Sequence, residues 1–254
     1  MTSIAEQLEP LLGNYDHLSP RIRHVEFDTS ICGQKIDVRG SYISFRDGEA
    51  TVDEFVDLIS NHITAFCLPR SELLRAQNIA KTGKQTQAAA VFTSLAQRAQ
   101  SLFIKAKKGS HRSGEAGEII LYILVEWLLK APQIVSKMYL KTNHNMPVFG
   151  TDGIHARYCN QTDRLFLYWG ESKAHKSLDG ALDSALSSIS EFLAANQQQR
   201  EIEIVSEYLD LGDAPKATKN AIWPVPGFED TELGVLMEPE VGHGETKIYA
   251  RVQA

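Results

Sequence analysis

Leu165-Phe-Leu-Tyr-Trp-Gly-Glu-Ser-Lys173 is the stretch that decides the fold. In an extended strand Leu165, Leu167, Trp169, Glu171 and Lys173 share one face. Apolar side chains lead along that face to a carboxylate and an ammonium at its end. Charges at the tip of a buried strand are costly unless they pair or bind a metal. Val148-Phe-Gly-Thr-Asp-Gly-Ile-His155 makes a similar approach, with Val148 and Phe149 leading to Asp152. The turn-rich Cys159-Asn-Gln-Thr-Asp163 lies between the two runs, and the 19 residues from Asp152 to Glu171 suit a hairpin. If the strands are neighbours, both carboxylates converge on one hard cation. Mg2+ takes such oxygen ligands, with Mn2+ as a substitute. Lys173 would then orient a water or stabilise charge on a phosphate. The bland alternatives are an Asp-Gly turn at Asp152 and a solvated strand end at Glu171 and Lys173.

Outward from these strands the pattern is helical. Ser113 opens an apolar helix from Glu115 to about Lys130, with Pro132 past its end. Glu118 and Glu115 sit in its first turn, where the helix dipole favours carboxylates in any case. Leu178, Ala181, Leu182, Ala185, Leu186, Ile189, Phe192 and Leu193 recur at helical spacing after the N-cap candidate Ser177. Val135–Leu140 reads as a short strand, and Glu201–Leu209 as a possible one. Lys137 and Lys141 flank the first of these and are candidates to face substrate. His155 and His175 flank the two carboxylate strands, either as polar residues at turns or in reach of phosphate. Lys105-Ala-Lys-Lys-Gly-Ser-His-Arg112 holds four basic side chains and no acid. Lys105, Lys107, Lys108, Arg112 and His175 are therefore the candidate DNA contacts, against the alternative of a solvated charged loop.

The N-terminal region holds strand patterns at His24–Phe27 and Gln34–Phe45. A helix follows with Thr51 and Glu54 at capping-box spacing, stopped by Pro69. Further helices read as Ser71–Ala80, capped by Ser71, and Gln85–Phe103. In the tail, Gly234–Met237 and Lys247–Val252 are short strand candidates. The expected organisation is a mainly helical region with a strand pair (1–103), a core (104–210) and a loop-rich segment (211–254). The expected fold class is α/β (α+β), a central mixed sheet flanked by helices.

Asp152, the Glu171-Ser172-Lys173 triplet and a preceding helical glutamate resemble the PD-(D/E)XK nuclease superfamily. That resemblance implies Asp152, Glu171, Lys173 and Glu118 as the catalytic set. Asp152, Glu171 and Glu118, with Glu115 as the alternative, would be the metal ligands. Thr151 stands where the proline of that pattern would be. RSGEAGEIILYIL, KMYLKT, GTDGIHARY and YWGESKAHKSLDGALDSALSSISEF are more specific: they resemble the HamA family, nuclease subunits of the Hachiman anti-phage defence system. The likeness is strongest over about residues 110–195. It implies a helicase partner, HamB, and DNA degradation released by that partner. The alternatives are an inactive nuclease-fold module that regulates a helicase, or a stand-alone restriction-type or RNA-directed nuclease.

The 254 residues are 43% apolar and 23% charged, ordinary for a globular chain. The longest apolar run, Ile119–Leu129, is interrupted by Glu126 and is too short for a bilayer. MTSIAEQLEPLL lacks a basic n-region, so no signal peptide is expected. Three cysteines without CxxC spacing argue against a disulfide framework or zinc site and fit a reducing cytoplasm. The net charge of −6 excludes tight DNA binding by bulk electrostatics, so local patches or a partner must supply the phosphate contacts.

Overall fold

The computed structural model describes residues 4–31, 34–108, 114–141, 152–161, 164–175, 177–194, 197–212, 231–239 and 247–253. In chain order the strands are β1 (Ile22–Ile31), β2 (Gln34–Ile43), β3 (Phe45–Arg46), β4 (Glu49–Ala50), β5 (Gln133–Val135), β6 (Gly153–Cys159), β7 (Arg164–His175), β8 (Thr231–Pro239) and β9 (Lys247–Gln253). The helices are α1 (Ile4–Leu8), α2 (Val52–Ser60), α3 (Ile63–Cys67), α4 (Arg70–Thr82), α5 (Gln85–Lys108), α6 (Glu115–Leu129), α7 (Lys137–Lys141), α8 (Leu178–Ala194) and α9 (Gln197–Tyr208). Seven strands form one sheet in the order β1-β2-β9-β8-β7-β6-β5, and β3-β4 form a separate hairpin. The β7-β8 pair is parallel and its neighbours antiparallel, so the sheet is mixed, as expected for the α+β class. The strands of the N-terminal region and of the core share this sheet, because β9 lies between β2 and β8.

Helices cover both sheet faces, for reasons written in the sequence. Helix α6 is apolar nearly all round and accordingly buried nearly all round, from Ile119 to Val125. It lies between the sheet and the N-terminal helices, in a core that includes Phe66, Leu95, Leu121 and Tyr168. A Cβ on Gly170 would stand 2.6 Å from Leu121 Cδ2, so glycine is what lets α6 approach β7 this closely. On the other face Ile154, Leu167 and Trp169 pack with Phe192 of α8 and Val205 of α9. The alternation read in Leu165–Lys173 is therefore real: odd positions face α8, and even ones such as Tyr168 face α6.

Several expectations need correction. Val135–Leu140 is not a strand: β5 ends at Val135, and Ser136 accepts from the amides of Tyr139 and Leu140 to start α7. Glu201–Leu209 lies almost wholly in α9, because Glu201 and Val205 are buried one helical turn apart. Lys137 does not face substrate. It is 1% exposed, with Nζ 2.7 Å from Glu201 Oε1, itself 1% exposed. Thr51 does not cap α2 through its side chain. It donates to the Ser44 carbonyl at 2.9 Å, while Glu54 pairs with Arg21 and Arg46. Helix α4 starts at Arg70 with Pro69 in the cap position, so Ser71 is inside it.

A second buried charge organises the opposite end of α6. The Glu126 carboxylate accepts from Tyr15 Oη (2.6 Å), the Gln133 amide (2.9 Å), Arg70 (3.0 Å) and the Gly13 amide (3.4 Å). One carboxylate thus joins the N-terminal segment, α4, α6 and β5. Burial pushes its pKa up, and these donors oppose the shift.

Candidate active site

Strands β6 and β7 pair from Cys159 opposite Arg164 to Gly153 opposite Gly170. One step beyond that last pair stand Asp152 and Glu171, on the face covered by α8. The Asp152 amide donates to the Gly170 carbonyl at 2.7 Å. The Ser172 amide donates to Asp152 Oδ2 at 2.8 Å. Both bonds extend the ladder and fix the aspartate against the Glu171 strand. Ser172 thus contributes its backbone N–H. Lys173 Nζ lies 2.6 Å from Glu171 Oε1. Glu171 also takes a hydrogen bond from Ser188 of α8.

The electrostatics follow from this placement. Burial pushes the Glu171 carboxyl above its ordinary range, and the Asp152 charge adds to the shift. The hydrogen bonds from Lys173 and Ser188 work against it. A half-buried carboxylate repelled by a second one is a site that gains from a cation. Asp152 and Glu171 thus fit a hard divalent ion by donor chemistry.

The other sequence candidates fall in different places. Leu121 of α6 packs on Gly170, and Tyr122 stacks obliquely near His155, 6.0 Å between ring centroids. Helix α6, with Glu115 and Glu118 in its first turn, thus lies on the sheet face opposite Asp152 and Glu171. Glu115 is buried, and its Oε2 accepts no hydrogen bond among the described residues. Glu118 is half-buried and adds to the effect of burial that raises the Cys67 thiol to about 12. Among the described residues no three of His, Cys, Asp and Glu gather as a metal cluster. The structure therefore brings Asp152, Glu171 and Lys173 together and leaves both α6 glutamates outside that group.

His155 points away from the carboxylates. It is fully buried on the α6 face, with Nδ1 2.9 Å from the Ala131 carbonyl, and burial pulls its pKa down to about 4. His175 ends β7 beside the start of α8, 3.4 Å from where a Cβ on Gly180 would stand. The side chains of Lys105, Lys107 and Lys108, and all of Arg112, Val148 and Phe149, lie outside the described residues. Sequence reasoning missed Ser188. It is a polar residue on the core-facing stripe of α8, and that position was the available signal.

A family model, HamA, matches residues 19–232 of the chain. The match spans both carboxylate strands and most of the N-terminal region. No curated protein and no solved structure matches.

Proposed function

The chain belongs to the HamA family, the Hachiman nuclease subunit family, and from that premise we propose that it is a metal-dependent DNA nuclease. In this reading it has a PD-(D/E)XK-like core and works with a helicase subunit in anti-phage defence. The observation that carries the reading is the juxtaposition of Asp152, Glu171 and Lys173 at the end of two paired strands. Asp152 and Glu171 would hold Mg2+. When bound, the ion polarises a phosphodiester and lowers the pKa of a bound water. The Ser172 amide holds Asp152 Oδ2 against the Glu171 strand, which fixes the orientation of this carboxylate. Lys173 presents its ammonium at the same strand end, where it can pair with a phosphate oxygen and stabilise the charge that grows there.

Plasmid and linear DNA cleavage with Mg2+ tests the proposal. The chain is assayed alone, with its helicase partner and ATP, and as Lys173→Ala. Degradation that needs Lys173 supports the nuclease, and dependence on the helicase supports the defence complex. Absence of cleavage in every arm, with Lys173→Ala protecting cells from phage as well as the unaltered chain, refutes the enzyme.

A further inference from the structure

A groove of about 480 Å3 lies at the start of β1 and the end of β2, where Arg21, Arg23, Tyr42, Phe45 and Arg46 line it. Its walls are held rigidly. The Ser44 amide donates to the Arg21 carbonyl, and both the amide and hydroxyl of Thr51 donate to the Ser44 carbonyl. The β3-β4 hairpin that carries Phe45 and Arg46 turns through Asp47 and Gly48, both at positive φ (55° and 87°). That is the left-handed geometry of a tight two-residue hairpin. Glu54 pairs with both Arg21 and Arg46, so one carboxylate aligns two guanidiniums and cancels one charge. Arg23 is exposed and makes no ion pair among the described residues. Phe45 is 57% exposed and Tyr42 38%, although aromatic rings ordinarily pack inside.

The register of the sheet connects this groove to the carboxylates. Lys173 pairs with Met237, Met237 with Ile248, Ile248 with Gly40, and Gly40 with Val25. Residues in one such row project to one face. Arg23 and Tyr42 oppose each other two residues beyond Val25 and Gly40, in the same direction in which His175 lies beyond Lys173. Arg23, Tyr42, Lys173 and Glu171 therefore share one face and one end of the sheet. Four strand spacings, about 19 Å, separate β7 from β1. That span is within reach of a short run of nucleotides, as in a groove of one single-strand-binding fold.

We propose that this groove docks single-stranded DNA. Phosphates sit on Arg23 and Arg46, a base stacks on Phe45 or Tyr42, and the strand leaves along this end of the sheet in the direction of Glu171 and Lys173. Guanidiniums interleaved with exposed rings are the chemistry that takes unpaired strands without regard to sequence. In a chain of net charge −6, such a patch is where a polyanion can approach. The direction of the path rests on the nuclease reading, whereas binding in the groove does not.

The test is fluorescence anisotropy of a labelled oligothymidine of about 20 nucleotides, in EDTA so that nothing is cut. The full-length chain is compared with Arg23→Ala/Phe45→Ala and with Lys173→Ala, each checked by circular dichroism. The expected result is a loss of about tenfold or more in affinity in the double variant. Its salt slope should fall by about 0.7 for the lost phosphate contact. Lys173→Ala measures the separate contribution of the strand end. Equal affinity of the double variant and the unaltered chain overturns the proposal. So does displacement of the DNA by poly-glutamate at equal charge, which would mark the groove as a seat for an acidic protein segment. Cleavage that needs Lys173 but ignores Arg23 and Phe45 would sink the groove alone. Groove-dependent binding without cleavage would sink the nuclease alone.

Discussion

Asp152 and Glu171 set two negative charges across one strand gap, and that repulsion is measurable before any activity is. The folded Glu171 holds a proton more tightly than the unfolded chain does. Folding thus takes up protons between the ordinary carboxylate range and the raised native value, and stability falls as pH rises through that window. Glu171→Gln removes the penalty. Its melting temperature at pH 7 in EDTA should rise by about 2–4 °C while cleavage is lost. A lower melting temperature would contradict the electrostatic account. Mg2+ needs the carboxylates ionised, so affinity by titration calorimetry should weaken as pH falls into the same window. Asp152→Ala should abolish the heat signal. His155 works with the opposite sign. Burial lowers its pKa to about 4, against about 6.5 in the unfolded chain, so stability is lost as pH falls from 6.5 toward 4. Denaturant unfolding across that range should show a drop of about 3 kcal/mol that His155→Gln largely removes. The three residues at the strand ends were legible in the sequence because alternation fixes their face. His155 was not, since a histidine in a turn-like Gly-Ile-His run carries no mark of burial.

At the scale of elements, closeness between α6 and β7 decides where the glutamates of α6 stand relative to Glu171. Gly170→Ala would put its methyl 2.6 Å from a Leu121 side chain that is itself 1% exposed. The expected cost is about 1–3 kcal/mol, read as a lower urea midpoint. Leu121→Ala added to Gly170→Ala should be less harmful than the two single losses summed. The Lys137–Glu201 pair pins α7 to α9. Glu201→Ala removes the carboxylate beside a buried ammonium and should cost about 3–5 kcal/mol. These two helices are also where the sequence misled. Ile202 and Ile204 alternate as in a strand, and Val135–Leu140 is apolar enough for one. A long-range ion pair ties the two helices together, and a charged residue's partner is invisible along the chain. By contrast, α6 and α8 were legible, because their apolar pattern is long and its period unambiguous.

Across the whole molecule, one sheet is assembled from the two ends of the chain. β9 hydrogen-bonds to β2 on one side and β8 on the other, so removing residues 231–254 would leave β2 and β7 as open edges. Such a truncation should be aggregation-prone by size-exclusion chromatography and lack a cooperative melt. The link from Arg23 to Lys173 runs through this strand, which is why no local pattern could have revealed it.

The position of β9 has a consequence for how the protein is made. β1 and β2 leave the ribosome early, yet the strand that joins them to β7 and β8 begins at Lys247. At about 5–20 residues per second, the roughly 200 intervening residues take about 10–40 s to synthesise. Throughout that interval the β1-β2 pair is not joined to β7 and β8. The seven-stranded sheet, and with it the face shared by Arg23 and Lys173, therefore closes only after residues 247–253 have been made.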